Sequence, residues 1–317
     1  MKKLVAIIVG GTGQFGLTTS ALLLKKKFKV IVTSRSYRKK KLFKNQKNLI
    51  FHKLDIYNKK KIDQLLKNFD PDIIFYYAGQ SSPAKSFHQK KETYRSNVLG
   101  CKNFLESIYK IKNNCKFINA SSCEIYGNLK EDIKVSSPKK PINPYGLAKL
   151  KSFEITKKFR DTFKLKTYNA IIFNTESFFR EKQFLIPKIC LAAINAKKKN
   201  KKTKFGNLKI AREWNWCTEQ VQCLIKFINK KPQDFILSNG KNYSAITMLK
   251  FAFGYFKLDY KKYILNNDKV FLRKNDVIEK KSAWQSCLKR NKIKRKNLIY
   301  GKKLIFKLIK YYQKNNF

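Results

Sequence analysis

The stretch "KLVAIIVGGTGQFG" (residues 3–16) constrains the fold more than any other part of the chain. An unbroken apolar run ends in glycines and leads straight into "LTTSALLLKKK", whose apolar residues recur at helical spacing. Lacking side chains, Gly10, Gly13 and Gly16 would let backbone N–H groups and a helix N-terminus approach a pyrophosphate. A glycine triplet alone says little. Here the strand before it and the helix after it supply the context that such a phosphate loop requires.

The alternation continues. "FKVIVTSR", "NLIFHKLDI", "PDIIFYYAG", "CKFINASS" and "KTYNAIIFN" read as strands, and "KKKIDQLLKNF", the segment around "SNVLGCKNFLESIYKI" and "NPYGLAKLKSFEITKKF" as helices. Continuous apolar strands separated by helices predict an α/β chain: a Rossmann-type doubly wound parallel sheet covered on both faces. Past about residue 175 the regularity weakens, and "NAKKKNKKTKFGN" reads as a solvated basic turn. The expected division is a dinucleotide-binding domain over 1–174 and 206–240, with a smaller C-terminal substrate-binding lobe over 175–205 and 241–317.

Several function classes are disfavoured. "MKKLVAIIVGG" imitates a secretion signal, but its apolar run ends in a glycine turn with no small-residue cleavage site. No apolar run approaches the roughly 20 residues that span a bilayer, so no membrane association is expected. Seven cysteines without C-x-x-C spacing suggest thiols in a reducing cytoplasm. His52 and His88 stand far apart without a carboxylate cluster, so no metal site is expected. The net charge of +52 invites a nucleic-acid reading. Yet the lysines are spread through nearly every segment and no recognition motif accompanies them, so no specific nucleic acid is expected and an anionic small molecule is favoured.

The chemistry-bearing residues cluster at strand ends and one helix start. "TSRS" closes the second strand with Arg35 where an acid would bind the 2′-hydroxyl of NAD; a guanidinium there suits the 2′-phosphate of NADP. Asp55 either accepts from an adenine amino group or caps the following turn. Asn143 and Pro144 are suited to the N-cap and first turn of a helix, which places Tyr145 and Lys149 at i and i+4 on one face. An ammonium beside a phenol favours the phenolate, which could take a hydroxyl proton as hydride leaves the same carbon. Upstream, "NASSCEIYG" sets the hydroxyl of Ser122 and the carboxylate of Glu124 at the carboxyl end of a strand, where open α/β sheets hold ligands.

Glycine loop, Y-x-x-x-K pair and hydroxyl–carboxylate turn together resemble the extended short-chain dehydrogenase/reductase family, and within it the GDP-mannose 4,6-dehydratases. "YYAGQSSPAKSF" (76–87) is similar to that family's leucine-alanine-alanine-glutamine-serine segment, and "SNVLG" supplies an asparagine at Asn97. "IFNTESFFR" matches asparagine-histidine-glutamate-serine-proline-arginine-arginine at Asn174, Glu176, Ser177 and Arg180; "GNLKIAREWNW" matches at Gly206, Asn207, Leu208, Arg212 and Trp214. The resemblance covers roughly residues 1–255.

It implies catalytic roles for Ser122, Glu124, Tyr145 and Lys149. Cofactor contacts would come from Gly10, Thr12, Gly13, Gln14, Phe15, Gly16, Arg35, Asp55, Ile56, Ala78, Gly79, Gln80, Ser81, Tyr145, Lys149, Thr175 and Arg180. Substrate contacts would come from Ser86, Asn174, Lys188 and Arg212, the last two toward a diphosphate. It further implies a recycled NADP, a GDP-mannose-like nucleotide sugar as substrate, and a homo-oligomer, dimer or tetramer. The sequence departs from the family at Cys123, which stands where serine or aspartate is usual, and at Phe15, Thr175, Phe178, Phe179, Glu213 and Asn215. The family's C-terminal arginine-proline pair is not found. Two alternatives stay open: an NADP-dependent 4-reductase or epimerase of the same superfamily, and a non-catalytic NADP-binding or basic RNA-binding protein.

Overall fold

The computed structural model describes residues 3–36, 46–111, 114–129, 131–208, 210–266, 281–295 and 298–315. The apolar run at the amino end is β1 (Val5–Val9), buried throughout, and the helix after the glycines is α1 (Gln14–Lys25). β2 (Lys29–Ser34), β3 (Leu49–Lys53), α2 (Lys59–Phe69) and β4 (Ile73–Tyr76) follow. Two short helices, α3 (Pro83–Ser86) and α4 (Lys90–Tyr94), lead through a π-helical turn at Arg95–Leu99 into α5 (Gly100–Lys110). β5 (Lys116–Ser122), α6 (Pro144–Asp161) and β6 (Thr167–Ile172) come next. The rest comprises β7 (Thr175–Glu176), α7 (Leu185–Lys199), β8 (Thr203–Phe205), β9 (Ala211–Arg212), β10 (Asn215–Trp216) and α8 (Cys217–Phe227). After these stand β11 (Asp234–Leu237), β12 (Tyr243–Ser244), α9 (Ala245–Gly254), β13 (Ile264–Asn266), α10 (Trp284–Arg290) and α11 (Gly301–Lys314).

The first of two compact units contains residues 1–127, 135–172 and 221–237. Its seven strands form one parallel sheet in the order β3-β2-β1-β4-β5-β6-β11. Strand order reverses beside β1, with Ile7 registered between Ile31 of β2 and Ile74 of β4. That reversal opens a crevice at the carboxyl ends of the strands, where ligands of such sheets bind. One face packs Ile7, Ile31 and Ile74 against Leu65 and Leu66 of α2 and Phe104 and Ile108 of α5. These side chains are at most 1% exposed, and burying each contributes about 1.5–3 kcal/mol against the entropy of ordering the chain. The predicted doubly wound parallel sheet is what forms.

The second unit contains residues 128–134, 173–220 and 238–317. Helices α7, α9 and α11 share an apolar core built on Ile189, Leu249, Leu308 and their neighbours. Three short pairings accompany them: β7 with β10, β9 with β12, and β8 with β13. These boundaries differ from the expected ones. Asn174 lies here because its carbonyl accepts from both the backbone N–H and the side-chain amide of Asn215, each at 2.9 Å. The return to the first unit is 221–237, not 206–240, since the crossing occurs inside α8. Residues 128–134 also belong here: Ile133 donates to Lys281 O and accepts from Ala283 N, both at 2.9 Å.

Glu213 ties three separate stretches of this unit together. Fully buried, its carboxylate accepts from Ser238 Oγ, from Gly240 N at 2.8 Å, and from Ser282 N and Oγ at 2.6 and 2.8 Å. A buried anion satisfied by four donors is costly to change, because an amide in its place turns one acceptor into a donor facing donors. Glu213→Gln should therefore destabilise this unit by about 2 kcal/mol, read as an earlier thermal transition of the second unit. Glu213→Asp, with the charge kept and reach lost, should lie in between.

Among the described residues no helix is long and apolar enough to cross a membrane, and no group of three or more histidine, cysteine or acidic side chains could hold a metal ion. All seven cysteines are buried thiols.

Candidate functional site

The glycine loop sits at the carboxyl end of β1, against the end of β2. Gly11 N donates to Thr33 O at 3.1 Å. Gly10 has φ +77°, and a Cβ there would lie 2.7 Å from Ala78 N, so only glycine lets the loop pass the chain leaving β4. Gly13 is exposed, with only Gly10 O within 4 Å of where a side chain would be, so the space over the start of α1 is open. That helix has neither a side-chain N-cap nor an acid in its first turn. Open space, aligned N–H groups and the positive end of a helix dipole together suit a diphosphate. Thr12, Gln14 and Phe15 complete the loop, and the Phe15 ring packs on Tyr77 with centroids 5.5 Å apart.

Beside the loop lies the 78–81 turn. Gln80 N donates to Ser96 Oγ at 3.1 Å, while the Gln80 side chain both donates to Ser82 O and accepts from Ser82 N at 2.8 Å. Asn97, inside the π-helical turn, donates to Gln80 O and Thr93 O at 3.0 and 2.9 Å. Gly79 lies against that asparagine, and Ser81 is exposed. Ser86 is fully buried and donates to Pro83 O at 2.6 Å, a bond internal to α3. Ile56 is buried against Gly100. Asp55 caps the next turn, accepting from Tyr57 N at 3.0 Å, the second of the two roles expected for it.

Arg35 projects just past β2, 68% exposed, and its guanidinium lies 3.4 Å from Glu92 Oε1. Glu92 Oε2 accepts from Tyr57 OH at 3.2 Å, and Arg95 covers the Tyr57 ring at 4.5 Å. Burial first, and then the Glu92 charge, push the Tyr57 phenol up to about 12, which keeps it a donor. Tyr57, Glu92 and Arg95 carried no signal in the sequence, since nothing there ties a loop residue to a helix 35 positions on.

The catalytic candidates converge at the carboxyl end of β5 and the start of α6. Ser122 ends β5, and its Oγ accepts from Glu124 N at 3.2 Å, capping a tight helical turn over Cys123–Tyr126. Glu124 is 7% exposed and its Oε2 accepts from Asn143 Nδ2 at 2.8 Å. Asn143 also performs the expected capping: its Oδ1 accepts from Gly146 N at 2.7 Å. One amide thus links the carboxylate to the helix that carries Tyr145 and Lys149. The helix can come this close because residue 146 is glycine; a Cβ there would lie 2.6 Å from Glu124 O. The cap was legible in the sequence, whereas its second bond was not.

Tyr145 and Lys149 are both buried on that helix, with the Lys149 ammonium 5.8 Å from the Tyr145 ring centroid and donating to Ala120 O at 2.8 Å. Desolvation pulls Lys149 down from 10.5 to about 8. Cys123 is buried between the hydroxyl and the carboxylate in sequence.

The remaining expected residues lie in the second unit. Asn174 is held through its carbonyl, as above, and Thr175 Oγ1 donates to Phe173 O at 2.8 Å. Arg180 stacks over Phe184 at 3.5 Å, with its Nε 3.9 Å from Glu176, whose carboxyl burial raises to about 7. Lys188 lies over the Phe205 ring at 4.8 Å, and desolvation lowers its pKa. Arg212 is 3% exposed and donates to Ala211 O at 2.8 Å. Phe178, a departure from the family pattern, is accounted for by packing: its ring stacks on Tyr311 at 4.3 Å and meets Trp216 edge-on at 4.9 Å.

Comparison with known proteins places the chain in a family. The GDP-mannose 4,6 dehydratase family model matches residues 7–303. A GDP-mannose 4,6-dehydratase of Vibrio cholerae serotype O1 is 29% identical over 263 residues, 77% of this chain and 70% of that one. Its Homo sapiens counterpart is 28% identical over 265 residues, 78% and 71% of the two chains. The dTDP-glucose 4,6-dehydratase DesIV of Streptomyces venezuelae, solved with NAD bound, shares the fold at a TM-score of 0.86 and 18% identity, over 99% of this chain and 98% of that one. So does a UDP-glucose 4-epimerase of Thermotoga maritima, at a TM-score of 0.84 and 18% identity over 99% and 100%. With a family model spanning nearly its whole length, the chain belongs to the GDP-mannose 4,6-dehydratase family.

Proposed function

We propose that this chain is an NADP-dependent nucleotide-sugar 4,6-dehydratase, with GDP-mannose or a close analogue as substrate and a 4-keto-6-deoxy sugar as product. The observation that carries the reading is the single amide of Asn143, which fastens the Glu124 carboxylate to the helix bearing Tyr145 and Lys149. A binding module has no chemical need for that set.

Held by the open glycine loop and Arg35, NADP would supply a hydride acceptor that is restored within each turnover, so no net oxidation occurs. Tyr145 takes the proton of the carbon 4 hydroxyl, with the Lys149 ammonium favouring its phenolate. Ser122 donates to the carbon 4 oxygen as it becomes a ketone. The ketone acidifies the carbon 5 proton, which Glu124 removes and delivers to the departing carbon 6 hydroxyl as water leaves. The 4-keto-6-deoxy product then requires the hydride back at carbon 6, which bound NADP would supply, and a solvent proton at carbon 5, which Glu124 would relay. Lys188 and Arg212 meet the diphosphate as charge-assisted donors and Asn174 orients it, while Thr175 and Arg180 belong to the cofactor side of this reading.

The test is incubation with GDP-mannose and catalytic NADP in heavy water. A 4-keto-6-deoxy product carrying deuterium at carbon 5 is expected. No product from GDP-mannose, together with mole-for-mole NADPH consumption when a 4-keto nucleotide sugar is supplied, would replace this reading with the 4-reductase, the alternative that Cys123 keeps open because a thiol is a poor proton relay to a leaving hydroxyl.

Asn143 offers a milder perturbation. Asn143→Ser keeps an N-cap hydroxyl but removes the amide that holds Glu124, so kcat should fall about tenfold while helix stability changes by less than about 0.5 kcal/mol. Asn143→Asp sets a second anion against Glu124 and should move the acidic limb of the kcat–pH profile upward, a displacement that a purely structural loss would not produce.

A further inference from the structure

We infer that Glu92 sets how strongly this chain prefers a phosphorylated adenosine ribose over an unphosphorylated one. The inference rests on reading the glycine loop as a dinucleotide site. Arg35 stands one residue beyond β2, and Gly11 N binds the same strand end at Thr33 O, so the guanidinium and the loop share the crevice where a ribose 2′-substituent would lie. The chain does not leave that cation alone. Glu92 Oε1 lies 3.4 Å from Arg35 Nη1, and Tyr57 OH fixes the other carboxylate oxygen from behind at 3.2 Å. Tyr57 is in turn covered by Arg95 and packed against the core of the first unit, so the carboxylate is anchored on the wall of the site.

The two possible ribose forms meet this carboxylate with opposite signs. A 2′-phosphate is drawn by Arg35 but repelled by Glu92, and must share or take over the guanidinium that Glu92 already holds. A 2′-hydroxyl can donate to the carboxylate, the role an acid plays in NAD-selective folds of this type. Glu92 therefore narrows the preference for NADP that Arg35 would impose by itself, leaving NAD as a usable cofactor.

The experiment measures binding of two small probes to the full chain by titration calorimetry: adenosine 2′,5′-bisphosphate and adenosine 5′-monophosphate. Because Glu92 is partly exposed, Glu92→Gln should tighten the bisphosphate by about fivefold and leave the monophosphate within about twofold. Tyr57→Phe, which loosens the anchor, should shift the ratio in the same direction by a smaller factor. Glu106→Gln removes an acid paired with Lys59 and Lys102 instead of with Arg35 and should move neither probe. An unchanged ratio in Glu92→Gln, or an equal shift of both probes, overturns the inference while leaving the dinucleotide reading intact. A parent protein that bound neither probe nor NADP would overturn both.

Discussion

Replacing Glu124 with glutamine should stop dehydration while sparing every earlier step. The amide is isosteric and its oxygen can still accept from Asn143 Nδ2, so the turn after β5 and the start of α6 should stay in place. Nucleotide binding should then remain within about threefold of the parent protein, because the carboxylate contributes a proton-accepting group and not a scaffold. Loss of a general base typically costs a factor of about 10²–10⁴, and product formation should fall by at least that much. The diagnostic outcome is a split between half-reactions. Tyr145, Lys149 and Ser122 are untouched, so oxidation at carbon 4 should still occur, seen as reduced-nicotinamide absorbance equal to the enzyme and no more. Deuterium incorporation at carbon 5 should vanish. Normal turnover by Glu124→Gln would remove the proposed base, and absence of the absorbance burst would place Glu124 in the earlier step.

How far this could be read from residues alone differs between the two units. The parallel sheet was legible because its strands are apolar on both faces; β1 and β4 have no exposed residue, so no alternating pattern competes. The glycine loop was legible because an apolar strand precedes it and a helix follows; the structure adds that Gly10 and Gly13 meet opposite requirements, one a tight approach to Ala78 and the other open space. The second unit was harder. Its strands are two or three residues long, which leaves too short a window for periodicity to show, and Ile133 is bridged to Ser282 across about half the chain. The same limit applies in the site. Residue types and spacing pointed to Ser122, Glu124, Tyr145 and Lys149 as candidates, and they gave the cap at Asn143 that the structure shows. They could not show that Asn143 gives its second hydrogen bond to Glu124 or that Glu92 pairs with Arg35, because those contacts depend on side-chain reach across separate elements. In the second unit, Arg212 donates to the carbonyl of its own neighbour Ala211, a bond that spacing alone does not reveal.

Lys149→Met should yield a protein that is more stable and catalytically silent. The ammonium is 7% exposed and, among the described residues, has no carboxylate partner beside it; burial lowers its pKa from 10.5 to about 8, which at neutral pH amounts to a penalty on the order of 3 kcal/mol. Methionine fills a similar volume without a charge. It forfeits the bond to Ala120 O, worth about 1 kcal/mol, so a net gain of roughly 2 kcal/mol is expected at pH 7. The pH dependence identifies the cause. Because the unfolded chain holds this proton more tightly than the folded one, the parent protein should gain stability from this group as pH rises from about 8 to about 10.5, with little change from it below that window. Lys149→Met has no such slope, so its advantage in thermal unfolding should be full at pH 7 and shrink toward zero near pH 10. Activity should meanwhile drop by at least about 10²-fold, since the phenolate of Tyr145 loses the charge that favours it. An advantage of Lys149→Met that stayed constant across that pH range would mean the gain came from packing. A lysine kept charged in a dry site at a cost to folding is the mark of a group retained for its chemistry.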